Sequence, residues 1–243
     1  MTLALLQEIL SEQPKFHRGE VEVQRDFTPD ETLLDPVLAK SVASREDVCW
    51  GVDDDVAKFI YEAVGPGSQT LETGAGISTL VFAMRGAKHV AITPNANEHE
   101  AIAAYARSKN IGMDGVTFVA QESEAYLPAA TPDALDLVLI DGKHAFPWPV
   151  LDWFYTADRL KKGGLMIIDD VQVYSVRMLR DFMIEDPRWD LRRAFSYRTC
   201  AFEKVGEPVH DVAWHMQPYI WKRSGTRGRV RRLRAFVRGL LPF

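Results

Sequence analysis

Along the chain the spacing of apolar and polar positions changes its period repeatedly, and each change marks an element. "MTLALLQEILSEQPK" reads as a short amphipathic helix, its apolar run interrupted by acids. Residues up to 50 continue as helical and irregular, with helical spacing in "DETLLDPVLAKSVA" and a break at Pro36. From Gly51 a regular alternation sets in. "DDDVAKFIYEAV" has the acid cluster and apolar spacing of a helix start, and "SQTLET" is a short buried strand. A Gly-rich turn opens the helix "GAGISTLVFAMR". Strand "KHVAIT", helix "NEHEAIAAYARSKN", and strands "VTFVAQ" and "LDLVLID" follow. Then come helix "PVLDWFYTADRLKKG", strand "GLMIIDD" and a helix around "YSVRMLRDFMIED". "WDLRRAFSY" and "TCAFEKV" read as two β segments with no helix between them.

Strands alternating with helices of about 10–15 residues imply a doubly wound, mostly parallel α/β sheet of the Rossmann-like kind. "LVLI" and "LMII" are apolar on both faces, as a sheet covered by helices requires. The expected fold is therefore a seven-stranded sheet ending in an antiparallel hairpin, with N-terminal helices added. The pattern divides the chain into a helical cap or lid over 1–50, the α/β domain over 51–205, and an extension over 206–243.

Composition narrows the partners. The 243 residues carry a net charge of -5, which gives no general bias toward nucleic acid. Two cysteines, Cys49 and Cys200, lack CxxC spacing and are too few for a disulfide framework, so a reducing, cytoplasmic setting is expected. The N-terminus lacks the basic region of a signal peptide, and no stretch approaches the roughly 18 apolar residues of a membrane span. Residues 222–243 differ, with eight Lys or Arg and no acid among Val, Leu and Phe. A basic amphipathic tail suits an anionic membrane surface. Packing on its own domain is the plainer reading and the favoured one. A homo-oligomer is compatible with all of this.

In open α/β sheets ligands bind beyond the carboxyl ends of the strands, so the residues there carry the candidate chemistry. The first strand ends in "LETGAGIST", where Gly74 and Gly76 allow a tight turn and close approach to a ligand. As a nicotinamide-binding GxGxxG it fails twice. The third glycine would be Thr79, and the ribose-binding acid at the end of the second strand would be Thr93. The fourth and fifth strands end in "LIDGKH" and "MIIDD". If these strands are neighbours, Asp141, Asp169 and Asp170 converge and repel one another unless protons or a cation compensate them. All-oxygen ligation suits a hard divalent ion, Mg²⁺ first. His144 is a candidate base for a substrate hydroxyl, with Lys143 the alternative. Plainer readings exist for each: "DGK" is good turn chemistry, and Asp170 could cap the following helix.

An acid placed just before G-x-G, followed by "IDGKH" and one helix later "IDD", resembles the class I S-adenosylmethionine (SAM) methyltransferases. Within them it looks like the metal-dependent small-molecule O-methyltransferases, both catechol-type and those acting on macrolide sugars. The resemblance covers roughly residues 50–205. It implies SAM held by Glu72, Gly74 and Gly76, with ribose contact at Thr93 and adenine contact at Glu122 and Ser123. The metal would sit on Asp141, Asp169 and Asp170, and the acceptor would be a hydroxylated small molecule. The family's usual acid at the end of the second strand is missing, with Asn95 close behind Thr93 and Glu98 farther on. Phe146 and Trp148 are expected as pocket walls, and Trp50, Trp214 and Trp221 as parts of a lid. Two other readings stand beside this one: an NAD(P)-dependent oxidoreductase, and a non-catalytic binding or scaffold protein that retains the fold.

Overall fold

A computed structural model of the chain describes residues 2–16, 51–130 and 134–225. The helical stretch around Pro36, the lid residue Trp50 and most of the basic tail lie outside the described residues.

The elements follow the polar pattern closely. Helix α1 (Leu3–Glu12) buries Leu6, Ile9 and Leu10, and α2 (Asp54–Ala63) buries Val56, Ala57 and Ile60. Asp54 and Asp55 in the first turn of α2 complement its dipole. Strand β1 (Gln69–Thr73), helix α3 (Ile77–Met84), strand β2 (Lys88–Ile92) and helix α4 (Ala96–Ser108) come next. They are followed by β3 (Val116–Val119), the short α5 (Ser123–Tyr126) and β4 (Leu135–Ile140). Helix α6 (Trp148–Ala157), β5 (Leu160–Ile168) and α7 (Tyr174–Glu185) complete the alternating part. Strands β6 (Trp189–Phe195) and β7 (Thr199–Lys204) form the hairpin, and α8 (Pro218–Ser224) ends the described chain.

The seven strands lie in the order β3-β2-β1-β4-β5-β7-β6. The first five pair in parallel, whereas β7 is antiparallel to both β5 and β6. Leu137, Leu139 and Ile167 face one layer, with Leu6, Ile60, Leu80 and Phe82. Val138, Ile140, Met166 and Ile168 face the other, with Trp153, Leu179 and Met183. This two-sided burial is what the continuous apolar runs of β4 and β5 implied.

Register fixes where the strands end. Thr73 pairs with Ile92 and with Ile140, and Ile140 pairs with Ile168. The loops after β1, β2, β4 and β5 therefore leave the sheet at one level, and their first residues stay tied to it. Gly74 N–H donates to Ile92 O (2.8 Å), Asp141 N–H to Thr73 O (3.0 Å) and Asp169 N–H to Ile140 O (3.0 Å).

One expected boundary moves. The helix read over "PVLDWFYTADRLKKG" ends at Ala157, and from Leu160 onward the residues already belong to the nine-residue β5. The charged look of "KKG" comes from exposed strand positions rather than a helix face. Buried Lys204, on β7, fixes the junction. Its Nζ donates to Ala157 O (3.0 Å) and Leu160 O (2.7 Å) and pairs with Glu207 (2.9 Å). Lys204→Met should leave two buried carbonyls unmet and lower the unfolding free energy by about 3 kcal/mol. Urea titration of the two proteins measures this, and equal midpoints would count against the role.

Candidate active site at the strand ends

The glycine loop after β1 is built first. Gly74 sits at φ +95, and a Cβ there would lie 2.4 Å from Asp141 O, so only glycine fits between the two loops. Gly76 N–H donates to Thr79 Oγ1 (3.0 Å), and that hydroxyl donates in turn to Glu72. His89 Nε2 lies 3.1 Å from the same carboxylate, while its Nδ1 meets Thr70 Oγ1 at 2.8 Å. Phe82 stacks on the His89 ring with centroids 4.2 Å apart. Glu72, expected to touch a cofactor, is only 1% exposed and does not line the cavity described next. Its carboxylate is spent on holding the loop from beneath. Thr79, which spoils a nicotinamide-type motif, is the bridge that carries this support.

Above the loop opens a cavity of ≈ 390 Å³ bordered by residues from every strand end named so far. This is within the size range of small-molecule sites. Gly74, Gly76, Thr93, Glu122, Ser123, Asp141, Lys143, His144 and Asp170 all line it. Neither Glu122 nor Ser123 caps α5 through its side chain, so the helix-start reading does not account for them. At β2 the structure adds a residue. Glu98, in the first turn of α4, reaches the same cavity. Its carboxylate accepts from Thr93 Oγ1 (3.0 Å) and Asn95 Nδ2 (3.1 Å).

At the β4 and β5 ends, His144 Nε2 stands 3.8 Å from Asp141 Oδ1 and 3.4 Å from Asp170 Oδ2. The three ligand atoms lie within 4.8 Å of one another. The hydroxyl of Ser175 on α7 donates to the His144 carbonyl and ties this turn down. Asp169 departs from the expected trio of carboxylates. It is 1% exposed, accepts from Thr199 Oγ1, and pairs with Arg198 Nη2 at 3.2 Å. Arg198, in the β6–β7 turn, also reaches Asp170 (3.0 Å) and Asp53 (3.2 Å). A guanidinium thus takes the place beside Asp169 where a cation was expected, and His144 replaces Asp169 in the open cluster.

The electrostatics reflect crowding. Burial pushes the Asp141 carboxyl up, and Asp170 adds to this against His144 and Arg198. Burial and then repulsion from Asp141 raise Asp169 to about 7, with Arg198 opposing. Burial pulls the His144 imidazole down, but Asp141, Asp170 and Asp169 outweigh it and hold it above its ordinary value. Negative charge therefore exceeds what one guanidinium balances, and protons make up the difference. His144 Nε2 is buried without a hydrogen-bond partner among the described residues. The Asp141 and Asp170 carboxylates offer oxygen ligands that fit a divalent cation, with the imidazole beside them as a separate basic group.

The aromatic residues fall elsewhere. Trp153 is buried in the core, and Phe146 borders a separate, apolar cavity between α6, α7 and residues 209–220. Trp148 supports Lys143, whose Nζ lies 4.0 Å over its ring. Trp214 and Trp221 are exposed and do not line the site cavity. Arg198 and Asp152 were not anticipated from sequence. For Asp152 a signal existed, as the acid within the otherwise apolar stripe of "WPVLDWFYTA".

With this geometry in hand, likeness to known proteins is informative. Residues 71–171 match a family described as a methyltransferase domain. Cofactor-bound Rv0187 from MTB aligns with a TM-score of 0.57 at 19% identity, over 73% of this chain and 94% of that one. The O-methyltransferase TomG from Streptomyces achromogenes, in complex with SAM, aligns at 0.56 and 14%, over 70% and 95%. An rRNA methylase from Streptococcus thermophilus aligns at 0.50 and 16%, over 63% and 96%. No curated protein matches. The chain has the fold of the class I SAM-dependent methyltransferases, as its motifs implied.

Asp152 gives a test of the site's foundation. It is 1% exposed, and burial raises its pKa to about 6 against the opposing effect of the Ser123 and Thr73 hydroxyls. The folded protein thus holds this proton more tightly than the unfolded chain does. Its stabilising effect is complete below the ordinary aspartate value of 3.8 and is lost as pH rises through about 6. Asp152→Asn should remove that slope, so the two stabilities should diverge by about 3 kcal/mol on raising the pH across this window. Urea midpoints at several pH values measure it; parallel curves would contradict the assignment.

Proposed function

We propose that this chain is a SAM-dependent O-methyltransferase acting on a small hydroxylated molecule with the help of a divalent cation, Mg²⁺ first. The observation that carries the reading is the meeting, in one cavity, of the Gly74–Gly76 loop and the Asp141–His144–Asp170 cluster. The loop, backed by Glu72 and Thr79, offers backbone to a cofactor; Glu122 and Ser123 border the cavity on the β3 side. SAM would supply a methyl group on a sulfonium; its transfer would form a bond to an acceptor oxygen, break the bond to sulfur and release S-adenosylhomocysteine. Asp141 and Asp170 would hold the cation, which favours the ionised form of an acceptor hydroxyl. Asp169 would act behind them, keeping Arg198 in place.

His144 is the proton acceptor in this scheme. Its carboxylate neighbours hold a proton on the ring, and neutralising them frees the imidazole to take the substrate's. Lys143, over Trp148, is the second basic group of the cavity and the alternative for that role. The carboxylates of Glu98 and Glu122 on the cofactor side of the cavity oppose an NAD(P) pyrophosphate.

S-adenosylhomocysteine should raise the melting temperature. Chelation with EDTA should abolish methyl transfer to hydroxylated acceptors, and added Mg²⁺ should restore it. His144→Ala should cost roughly 100-fold or more in kcat while leaving S-adenosylhomocysteine affinity near that of the parent. Full turnover in EDTA would remove the metal from the scheme, and no binding of S-adenosylhomocysteine at millimolar concentration would remove the cofactor.

A further inference from the structure

We propose that residues 209–243 fit this protein to the surface of an anionic membrane, with an apolar groove and an arginine-rich stretch side by side. The proposal stands independently of the cofactor reading. Its first observation is the groove. The cavity of ≈ 660 Å³ between α6, α7 and residues 209–220 is walled mainly by apolar side chains, among them Trp153, Phe182, Val209 and Ile220. Phe146 and Phe154 line it and are themselves exposed, at 64% and 47%. Trp214, Met216 and Trp221, in or next to the segment that forms the third wall, are exposed as well. Large apolar side chains gathered at one opening mark a contact surface. Aromatic rings there suit the headgroup region of a bilayer, where one side is apolar and the other wet.

The second observation is where the charge lies. Residues 222–243 hold eight of the 29 Lys and Arg and none of the 34 acids, so positive charge is gathered there in an otherwise acidic chain. Lys222 and Arg223 are spent on Glu185 of α7 (3.1 and 2.7 Å), and Tyr219 meets Phe182 with ring centroids 6.0 Å apart. These contacts seat α8 at the groove, and the stretch that follows starts from its rim. From there the sequence carries six more arginines, between Arg227 and Arg238. Val230, Leu233, Val237 and Leu240 recur at helical spacing, and Arg231, Arg234 and Arg238 recur on a separate stripe. A stretch that served only as a solvated face would mix both signs of charge. Arginine beside an apolar stripe is instead the pattern of a helix lying in a membrane interface, its basic side toward anionic headgroups. RNA would use the arginines but leave the apolar stripe and the groove without a partner. Among the described residues no helix is long and apolar enough to cross a membrane; the contact proposed is with its surface.

Sedimentation with lipid vesicles tests this on the whole chain. The protein should bind phosphatidylcholine vesicles containing phosphatidylglycerol at least about 10-fold more tightly than vesicles of phosphatidylcholine alone. Binding should fall steeply as salt rises to about 0.5 M. Arg231→Gln, Arg234→Gln and Arg238→Gln together should cost roughly 100-fold, and Trp214→Ala with Trp221→Ala a smaller factor. Leu233→Ser with Leu240→Ser should also weaken binding, which separates insertion of the apolar stripe from charge attraction alone. Melting curves without lipid should match the parent in every variant, which keeps folding out of the comparison. The proposal falls if the mixed vesicles do not sediment the parent, or if the arginine or the serine variant binds them as the parent does. It falls as well if transfer RNA, rather than vesicles, takes up the parent. None of these results touches the methyltransferase reading, which is tested by S-adenosylhomocysteine binding.

Discussion

The parallel hydrogen-bond ladder through β2, β1, β4 and β5 is the constraint on which everything else depends. Because Thr73, Ile92, Ile140 and Ile168 stand level in it, four loops leave the sheet together. A shift of one residue in any pair would turn that strand's side chains to the wrong layer of helices, where Leu139 and Ile140 serve different cores. Burial on both faces therefore fixes the register, and the register fixes the site. The same ladder brings Gly74 and the Asp141 backbone so close that a Cβ does not fit between them.

Charge is the second organising factor. Asp141, Asp169 and Asp170 gather at the β4–β5 junction, and the sheet cannot keep three buried carboxylates without compensation. Part of the answer comes from the hairpin. By inserting β7 beside β5, the chain delivers Arg198 and Thr199 to Asp169 and closes that position. What stays open is Asp141 and Asp170 with an imidazole between them, a smaller and more mixed group than three acids in a row suggest. The arrangement separates a structural carboxylate from two that face the cavity.

A similar division of labour operates at the glycine loop. Glu72 lies beneath it in a buried set with His89, Thr70 and Thr79, while the backbone above faces the ligand space. At β2 the acid that faces the cavity comes from a helix and is steered by Thr93 and Asn95. In both places a residue that looks like a ligand contact in sequence supports another group.

The sequence by itself determined the seven strands, their alternation with helices, the terminal hairpin, and the loops that gather at the strand ends. These follow from apolar period and glycine placement, which are local and additive. It also named Gly74, Asp141, His144 and Asp170, because residues just past buried strands must emerge at the rim. Which carboxylate faces solvent space and which is paired was not legible. That depends on Arg198, 29 residues after Asp169 in sequence, and on a carboxylate from the following helix, whose approach is set by register and packing. Side-chain partnerships across elements carry no period along the chain, so only the tertiary structure decided them.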